Sequence, residues 1–565
     1  MRILELICVL ALVLILASIV PADDAPASAK PDMSVPDGAA RVEQTTPGAH
    51  KPAVLVASFD GIGESFEGPQ GKATLRNPSD NSIAVGPDHI VVTVNSRMAI
   101  FTKKGRRYDT TGKPLYGPVN TNNVFRGFGG QCEASNNGDA VVRYDQLANR
   151  WLIVMPLFRR GPERQDQPPE WKAGEHAYLS PPGVSAQPGP AAPLYQPPRP
   201  DPATQQSAEH RGGRPPRDHD AQKEHGPYSM CYAISTGPDP FGPYYRYEFL
   251  RPLFPDYPRP AIWRDGYYVA TSSGDEVIQK QACVVDRDRM LKGKPATEQC
   301  FIIDGVNFLN DADIDGKQAP PRGAPNVIMA AGGTQLKGEL EDNVIYYWNF
   351  SVDWKHPERT TLSAPKKITV APYHYLCGGQ LTKCVPQPGS EQHLDAQGDK
   401  IMSRLVYRRI GDHESIVGVH SVNTSAGGGG VRWYEFRVGK DRTVSLYQQG
   451  TYAPDKFFRW MASPAMDHSG NIGIGYSFGG SSHFAGQRFA GRISNDPPGV
   501  LSLGETVLVD GEAAQNTVRW EDYTQTAIDP SDDCTVWYVG DYLRKADTNY
   551  STRIGAVQMP GCRGR

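Results

Sequence analysis

The sequence lacks the patterns that mark the most familiar nucleotide-binding, zinc-binding and metalloprotease families. No Walker loop, Rossmann glycine fingerprint, HExxH pair, or CxxC or CxxH spacing is present. The formal net charge is −3, which gives no support for the basic surface that nucleic-acid binding requires. We therefore expect no cofactor, no bound metal and no nucleic-acid partner.

Long apolar runs are also scarce, and the clearest one is N-terminal. After Arg2, residues 7–20 form an apolar run of 14 residues, which is too short for a membrane-spanning helix. Small residues follow at positions 20–22 and 27–29. This pattern favours a secretory signal peptide over residues 1–29, with an uncleaved N-terminal anchor as the alternative. We expect a secreted protein, extracellular or periplasmic, without a membrane span in its mature part.

The cysteine content fits an exported protein. Beyond the predicted signal peptide the chain has eight cysteines, and an even number in an oxidising compartment favours disulfides. Eight cysteines allow 105 connectivities, so the choice of partners rests on locality alone. The predicted pairs are Cys132–Cys231, Cys283–Cys300, Cys377–Cys384 and Cys534–Cys562.

Two segments have compositions that do not build a core. Residues 30–50 are rich in Ala, Pro, Asp and Ser and are predicted to form a flexible leader. Residues 160–227 are rich in proline, which removes backbone donors, and are predicted to be a disordered insertion. Because the segments on both sides of it have the composition of strands, this insertion is expected to interrupt one unit of a single domain spanning residues 51–565.

The rest of the chain repeats a hairpin about every 60 residues, once the insertion is discounted. Each copy has a short apolar strand, a turn of Asp, Gly, Pro or Asn, and a second strand rich in β-branched and aromatic residues. The copies begin at Ser82, Ala140, Pro260, Ser403, Ser463 and Gln525, with a weaker copy at Gly323. This repetition predicts an all-β fold, a seven-bladed β-propeller. A sandwich or barrel is the alternative, although neither requires a fixed period.

The two ends of the repeat region indicate how the ring closes. The segment PAVLVASF (52–59) precedes the first copy and has the composition of a strand. The segment STRIGAVQM (551–559) follows the last copy. We expect these segments to pair and so to join the first and last blades.

Three stretches carry a family resemblance. They are LDAQGDKIMSRLVYRRIGDHES from Leu394, RWMASPAMDHSGNIGIGYS from Arg459 and RWEDYTQTAIDPSDDCTVWYVGDY from Arg519. In them the chain resembles secreted bacterial proteins built as sialidase-like β-propellers, mostly without an assigned reaction. The resemblance covers residues 78–560 apart from the Pro-rich insertion. It implies export and the propeller fold, and it transfers no catalytic residues.

A propeller brings the residues that precede its innermost strands to one mouth of the central channel, where ligands usually bind. If the first strand of each copy is innermost, the polar residues before these strands meet at that mouth. The predicted catalytic residues are Asp80, Asp139, Asp256, His393, Asp395, Asp522 and Tyr523, and the predicted ligand-binding residues are Asn81, Arg459, Trp460 and Arg519. Carboxylates serve as general acids or bases, arginine binds anionic groups, and aromatic faces stack on sugars.

These residues also have a structural interpretation. Asp and Asn cap turns by accepting hydrogen bonds from backbone amides, which would tie neighbouring blades together. The Arg-Trp pairs at 459–460 and 519–520 would then be tryptophans packed between blades with arginine stacked on them. Both interpretations stay open at the level of sequence.

One acidic run resembles the start of a calcium loop. Asp311, Asp313 and Asp315 alternate along it and a glycine follows. Ala319 and Arg322 occupy the positions of the closing ligands, so these oxygen ligands are missing. An acidic surface turn is therefore favoured over calcium binding.

Two functions are open from the sequence. The favoured one is a non-catalytic binding module for extracellular glycan, cell wall or protein. The alternative is an extracellular carbohydrate-active enzyme, a glycoside hydrolase or polysaccharide lyase, with its site at the channel mouth. Facing carboxylates in a deep site with an exposed arginine would favour the enzyme, and carboxylates bonded to backbone amides would favour binding.

Overall fold

The computed structural model describes residues 31–158, 178–179, 227–251, 253–272, 280–334, 339–379 and 383–561. The predicted signal peptide, nearly all of the Pro-rich insertion and Cys562 lie outside these ranges. Within them the helices are α1 (Gly130–Ala134), α2 (Arg287–Leu291) and the 3-10 turns Ala39–Val42, Thr121–Phe125, Pro357–Arg359 and Leu376–Gly378. Strands dominate, so the all-β prediction is confirmed. No helix of the described part is long and apolar enough to cross a membrane.

The N-terminal residues contribute four strands. They are β1 (Glu43–Gln44), β2 (Val54–Asp60), β3 (Glu67–Gly68) and β4 (Gly71–Lys72). β3 and β4 pair with each other, whereas β1 pairs in parallel with residues 451–452. His50 then bridges to Leu503. The second half of the predicted flexible leader therefore lies against later sheets.

The later strands of the described chain are divided here into seven antiparallel groups, named sheets I to VII, of which IV and V are joined by a parallel pairing into one ten-stranded sheet. Sheet I contains β5 (Asn81–Val85), β6 (His89–Val94), β7 (Arg97–Thr102) and β8 (Pro114–Asn120). Sheet II contains β9 (Val141–Asp145), β10 (Arg150–Leu157) and, after the short strand β11 (Tyr178–Leu179), β12 (Tyr228–Ser235) and β13 (Tyr244–Arg251). Sheet III contains β14 (Asp256–Ile262), β15 (Tyr267–Ser272), β16 (Lys280–Val285) and β17 (Glu298–Ile303), with β11 at its edge.

Sheet IV contains β18 (Asn310–Ile314), β19 (Asn326–Thr334) and β20 (Glu339–Ser351), with β21 (Thr361–Leu362) and β22 (Lys366–Thr369) along β20. A separate hairpin, β23 (Lys383–Gln387) and β24 (Ser390–Asp395), precedes sheet V. Sheet V contains β25 (Leu405–Ile410), β26 (His413–Asn423), β27 (Gly429–Val438) and β28 (Val444–Tyr452). Sheet VI contains β29 (Phe458–Met466), β30 (Ile472–Gly480), β31 (His483–Arg492) and β32 (Thr506–Val509). Sheet VII contains β33 (Gln525–Ile528), β34 (Thr535–Tyr542), β35 (Ser551–Gln558) and β2.

The first strands of the sheets contact one another in succession. β5 contacts β9, then the order continues through β14, β18, β25, β29 and β33, and β33 contacts β5 again. Between β18 and β25 the contact is a parallel pairing. Every residue of β5 and of β9 is buried. This succession of contacts is consistent with the predicted β-propeller.

The predicted hairpins match the first two strands of every sheet except sheet IV. There the weak copy from Gly323 covers the second strand, and the first strand is the acidic run. Asp311, Asp313 and Asp315 are 3%, 2% and 2% exposed, so both the surface turn and the calcium loop are wrong. Because side chains alternate along a strand, the three aspartates share one face and point at partners on neighbouring sheets.

Arg404 lies at the centre of a buried charge network on the axis. Its guanidinium donates to Asp313 at 2.6 Å, to Asp315 at 2.7 Å and to the Thr526 carbonyl at 3.3 Å. These contacts join sheets IV and VII through a side chain that lies just before sheet V. Each carboxylate keeps one oxygen for a further partner, so the network extends beyond these residues.

Those partners come from three more sheets. Asp313 accepts from the Ile262 amide of sheet III at 2.8 Å, and Asp315 accepts from the Met466 amide of sheet VI at 3.1 Å. Arg143 of sheet II lies 3.3 Å from the same Asp313 carboxylate. The network borders a small cavity that residues of sheets I and VII also line. Sheets II to VII are therefore linked by one set of buried charges, which fixes how their first strands meet.

The predicted disulfides of the described chain are confirmed. They are Cys132–Cys231, Cys283–Cys300 and Cys377–Cys384. Cys534 is also disulfide-bonded, and Cys562, its predicted partner, lies outside the described residues. Disulfides are typical of oxidising compartments, so their presence is consistent with an extracellular location.

Sheet VII is built from both ends of the chain. β2 pairs antiparallel with β35, as expected for the segments that contain them, with Val54 opposite Gln558 and Asp60 opposite Arg553. Sheet VII meets sheet I through a buried ion pair. Lys103 Nζ lies 2.5 Å from Asp529 Oδ1, and the two side chains are 4% and 9% exposed.

We predict that Lys103→Met lowers the free energy of unfolding by about 3–5 kcal/mol, because the Asp529 carboxylate stays buried without its cation. Lys104→Met is the matched control, since Lys104 is exposed and should change stability by less than about 0.5 kcal/mol. Denaturant unfolding of the three proteins measures both values. Equal losses in the two variants would contradict a specific role for the ion pair.

Candidate functional site

The structure brings six of the predicted residues together where the first strands begin. They are Asp80, Asp139, Asp395, Arg519, Asp522 and Tyr523, named here the mouth cluster. The aspartates interact electrostatically with one another and with the arginine, and the tyrosine interacts with two of the aspartates. These residues precede β5, β9, β25 and β33, so four distant parts of the chain converge.

Left-handed backbone conformations place the side chains of this region. The angle φ is positive at Asp80 (49°), Asp139 (53°), Tyr257 (54°), Gln397 (43°) and Asp522 (68°). Aspartate tolerates this conformation better than most residues, whereas for tyrosine it is a strained one. Such strain costs roughly 1–3 kcal/mol per residue and concentrates at functional sites. It recurs near the starts of sheets I, II, III, V and VII, which makes this region a candidate site.

Asp80 and Asp139 form a pair of carboxyl groups that share a hydrogen bond. Burial, followed by the charges of Asp139 and Asp522, raises the pKa of Asp80 well above its ordinary value. Burial and Asp522 also raise the pKa of Asp139, while the hydrogen bond from Asp80 opposes that rise. The raised pKa values favour a proton held between the two carboxyl groups of this pair.

Asp522 joins this carboxyl pair to the cationic side of the mouth. Its Oδ1 accepts hydrogen bonds from Arg519 and from Gln397 Nε2, and its carbonyl accepts one from the Tyr257 hydroxyl. The Arg519 side chain is 32% exposed and the Asp522 side chain 12%. Burial tends to lower the pKa of Arg519, but the charge of Asp522 outweighs this effect and raises that pKa above its ordinary value. This edge is where the cluster reaches solvent.

Arg259 lies beside the mouth cluster on the faces of two tyrosines. Its guanidinium carbon is 3.6 Å from the Tyr257 ring centroid and 5.3 Å from that of Tyr523. The residue is 4% exposed, and within the described chain none of its three guanidinium nitrogens has a hydrogen-bond partner. Burial lowers its pKa. A buried guanidinium with its donors unused can bind an anionic group through a pair of parallel hydrogen bonds.

Lys400 is a second buried cation at this place. Its Nζ donates to Asp399 Oδ1 at 2.7 Å and to Gln397 Oε1 at 2.6 Å. The same nitrogen lies 4.3 Å from the Phe308 ring centroid and 5.1 Å from that of Tyr257. Lys400 therefore fixes the amide that in turn binds Asp522.

Four members of the site were not predicted from the sequence. They are Tyr257, Arg259, Gln397 and Lys400. Each follows a predicted residue, Asp256 or Asp395, by one to five positions. A bulge between Asp256 and Arg259 shifts the register of β14, and no feature of the sequence marks it. The one signal that could have identified Arg259 was its own position near the start of a first strand.

The hairpin β23–β24 and the loop before β33 position Asp395 and Arg519. Gln387 Nε2 donates to the Gln515 carbonyl at 3.1 Å, and the Gln515 amide donates to Gln387 Oε1 at 2.7 Å. The Asp395 amide donates to the Val518 carbonyl at 2.7 Å. The hairpin and the loop therefore form one unit over this side of the mouth.

The Arg459 and Trp460 predictions are corrected by their surroundings. The Arg459 side chain is fully buried and lies 2.8 Å from carboxylate oxygens of Asp455 and of Glu505. Trp460 is 0% exposed and packs against Trp520 at a centroid distance of 6.1 Å. Arg459 is paired with carboxylates and Trp460 is packed in the core, so neither side chain is available at the mouth.

Three other predicted residues lie beside the cluster without joining it. Asn81 is buried, and its Nδ2 donates to Asp541 at 2.8 Å, so it supports the segment that carries Asp80. Asp256 Oδ1 accepts from the amide of its neighbour Tyr257 at 2.9 Å, at the start of β14. His393 is half-buried on β24, and among the described residues its ring has no hydrogen bond to the cluster.

In the described part of the chain, the side chains with a spacing that could suit a metal ion are Cys283, Glu298 and Cys300. The two cysteines form a disulfide with each other, so neither offers a thiolate.

Comparison with known proteins gives distant structural likenesses. No protein-family model and no curated protein matches the chain. A protein of unknown function from Dyadobacter fermentans is 11% identical, with 90% of this chain and 100% of that chain covered and a TM-score of 0.31. NanB sialidase from Streptococcus pneumoniae is 10% identical, with 74% and 67% covered and a TM-score of 0.34. A chain of the Drosophila plexin A–semaphorin 1b complex is 8% identical, with 90% and 88% covered and a TM-score of 0.34. TM-scores this low establish neither a family nor a function. The description of the fold and of the site therefore depends on the strand pairing and side-chain contacts of this chain.

Protonation of Asp395 provides a test of the cluster's electrostatics. Burial, together with the charge of Asp522, raises the pKa of Asp395 to about 7. The unfolded value is about 3.9, so protonation favours the folded state, and this contribution is lost as the pH rises from about 4 through 7. We predict that Asp395→Asn does not lose stability in this way. The Tm of the variant minus the Tm of the unmodified protein should therefore increase from pH 5 to pH 8.

The control is Asp412→Asn, since Asp412 lies at a fully exposed turn. Scanning calorimetry at each pH measures the difference in Tm for both variants. A difference for Asp395→Asn that does not change with pH would show that this carboxyl has an ordinary pKa.

Proposed function

We propose that this protein is a secreted, seven-bladed β-propeller that hydrolyses glycosidic bonds at its channel mouth. The succession of first-strand contacts and the β2–β35 pairing support a closed ring of seven blades. The Asp80–Asp139 carboxyl pair next to the solvent edge at Arg519 supports catalysis. This pair is the observation on which the proposal depends, because turn-capping does not require two carboxyl groups to share a proton.

The chemistry divides between the two kinds of carboxyl group. Glycoside hydrolysis needs a protonated carboxyl to donate to the leaving oxygen and an ionised one on the other side of the cleaved bond. The Asp80–Asp139 pair keeps a proton above the pH at which a lone aspartate would lose it, so it supplies the acid. Asp522, paired with Arg519, supplies the negative charge facing the developing cation on the sugar.

The cations favour an acidic sugar as substrate. Arg519 is the exposed cation of the mouth, and Arg259 offers buried donors that a carboxylate can bind in parallel. The ring faces of Tyr257 and Tyr523 hold the Arg259 guanidinium in place. A substrate anion at Arg259 would satisfy donors that otherwise stay buried without partners.

Hydrolysis is favoured over elimination by a lyase. A lyase would need a base such as Tyr523 or His393. Burial, followed by the charges of Asp139 and Asp80, raises the pKa of Tyr523 well above its ordinary value, so the phenol stays protonated. His393 is not hydrogen-bonded to the cluster within the described residues. Neither residue is arranged to remove a proton from a uronate.

Non-catalytic binding of glycan is the second candidate, and one observation favours it. Asp80, Asp139 and Asp395 are 1%, 8% and 0% exposed, so a sugar reaches them only if the mouth opens. A protein that binds glycan through Arg519 alone would not need such an opening. Turnover decides between the two candidates.

We predict that Asp139→Asn lowers the rate of glycan hydrolysis by about 10²–10⁴-fold, the contribution of a general acid–base group. Asparagine accepts positive φ as readily as aspartate, so the backbone at position 139 is retained. The assay measures reducing ends released by the mature protein from acidic and neutral polysaccharides. Asp412→Asn is the control and should hydrolyse at the unmodified rate.

Two results would count against this mechanism. Hydrolysis by Asp139→Asn at the unmodified rate would exclude the carboxyl pair as its catalyst. Retention of a glycan without release of reducing ends would favour the binding module instead.

A further inference from the structure

We propose that Arg76 and Arg97 form a second anion-binding subsite on the rim of the mouth. It would hold a carboxylate or sulfate on a sugar unit next to the one bound at the mouth cluster. The substrate would then be an acidic glycan with charges on successive units, and not a single charged sugar. This inference rests on the proposed function and extends it along the glycan chain.

The two arginines are joined through one short set of hydrogen bonds. Arg76 donates from one guanidinium nitrogen to the carbonyls of Asn136 at 3.2 Å and Asn137 at 2.8 Å. Arg97 donates to the Ser96 carbonyl at 3.1 Å, and the Asn136 side chain donates to that same carbonyl at 2.9 Å. Both guanidinium groups are therefore held against loops of the rim, with other donors left for a ligand.

The positive charges of Arg76 and Arg97 are not balanced by a carboxylate of the described chain. Neither Arg76 nor Arg97 forms an ion pair with a carboxylate of the described chain. Burial lowers the pKa of Arg97, and the nearby positive charge of Arg76 lowers it further. Arg107 and Arg544, by contrast, are each paired with an aspartate. Two like charges held together without an acidic partner favour an anion from outside.

The pair is held by the loops that carry the carboxyl groups of the proposed reaction. Arg76 precedes Asp80 by four residues, and Asn137, which accepts from Arg76, precedes Asp139 by two. Asn95, two residues before Arg97, donates to the Asp80 carboxyl. The loops that carry the two reacting aspartates therefore also carry the rim arginines. A glycan leaving the mouth on the side of sheet I would pass over them.

The test compares binding of polymers and of a single sugar by the full mature protein. The probes are polygalacturonate for carboxylate, heparin for sulfate, and galacturonic acid as the single charged unit. We expect Arg76→Ala/Arg97→Ala to bind one of the polymers at least tenfold more weakly, with a shallower dependence on salt. Its affinity for galacturonic acid should be unchanged, because the mouth cluster is intact.

Arg106→Ala is the matched control, since Arg106 is exposed beyond the opposite end of β7. It should bind every probe as the unmodified protein does. Because Arg76 is exposed, Arg76→Glu provides a second variant with little risk to folding, and it should weaken binding to the same polymer. Weaker binding of polygalacturonate identifies the anion as carboxylate, and weaker binding of heparin alone identifies it as sulfate, because heparin carries both groups.

The outcomes separate this inference from the proposed function. Binding of a polyanion that the double variant and Arg76→Glu leave unchanged would overturn the rim subsite alone. Action on neutral glycans only would overturn the rim subsite and leave hydrolysis standing. No turnover and no retention on any glycan would overturn the proposed function, and the rim subsite with it.

Discussion

The buried contacts of Arg404 with Asp313 and Asp315 are the constraint on which the rest of the structure depends. Charges removed from water are costly unless each is paired and hydrogen-bonded, and a broken pair leaves an uncompensated charge in the interior. This network meets that requirement only when sheets II to VII are all in place, because each supplies a partner. Misplacing one sheet would leave a charge or an amide buried without its partner. The network therefore selects one arrangement of the first strands, and that arrangement brings the mouth cluster together.

Residues of the mouth adopt conformations and charge states that are unfavourable for the folded protein. It holds left-handed backbone at non-glycine positions, carboxyl groups with raised pKa values and, in Arg259, a cation with unused donors. Each of these features reduces stability, and a protein selected for stability alone would replace them. The axis network and the packed sheets offset that cost. A binding surface of ordinary side chains would not need such compensation, which favours chemistry at the mouth.

The sequence was sufficient for the hairpin repeat because strand pairs and their turns leave local patterns. It failed at β18, where aspartates at alternate positions look like a loop until the partners Arg404 and Ile262 are known. For the site, the position before each first strand identified Asp80, Asp139 and Asp522, which the structure brings together. It gave no guide to which face of a strand a side chain occupies after a bulge. Arg259 therefore went unpredicted, while Arg459 was assigned to the mouth although it is paired within the core.

The completion of sheet VII by β2 has a consequence for synthesis of the chain. β2 ends at Asp60 and its partner β35 begins at Ser551. Nearly 500 residues must therefore be synthesised before β2 can pair. At ribosomal rates of about 5–20 residues per second this wait lasts roughly 25–100 s. During that time β2 presents unpaired amides and carbonyls that could recruit another nascent chain. Export in an unfolded form would postpone this exposure until both ends of the chain are available in the same compartment.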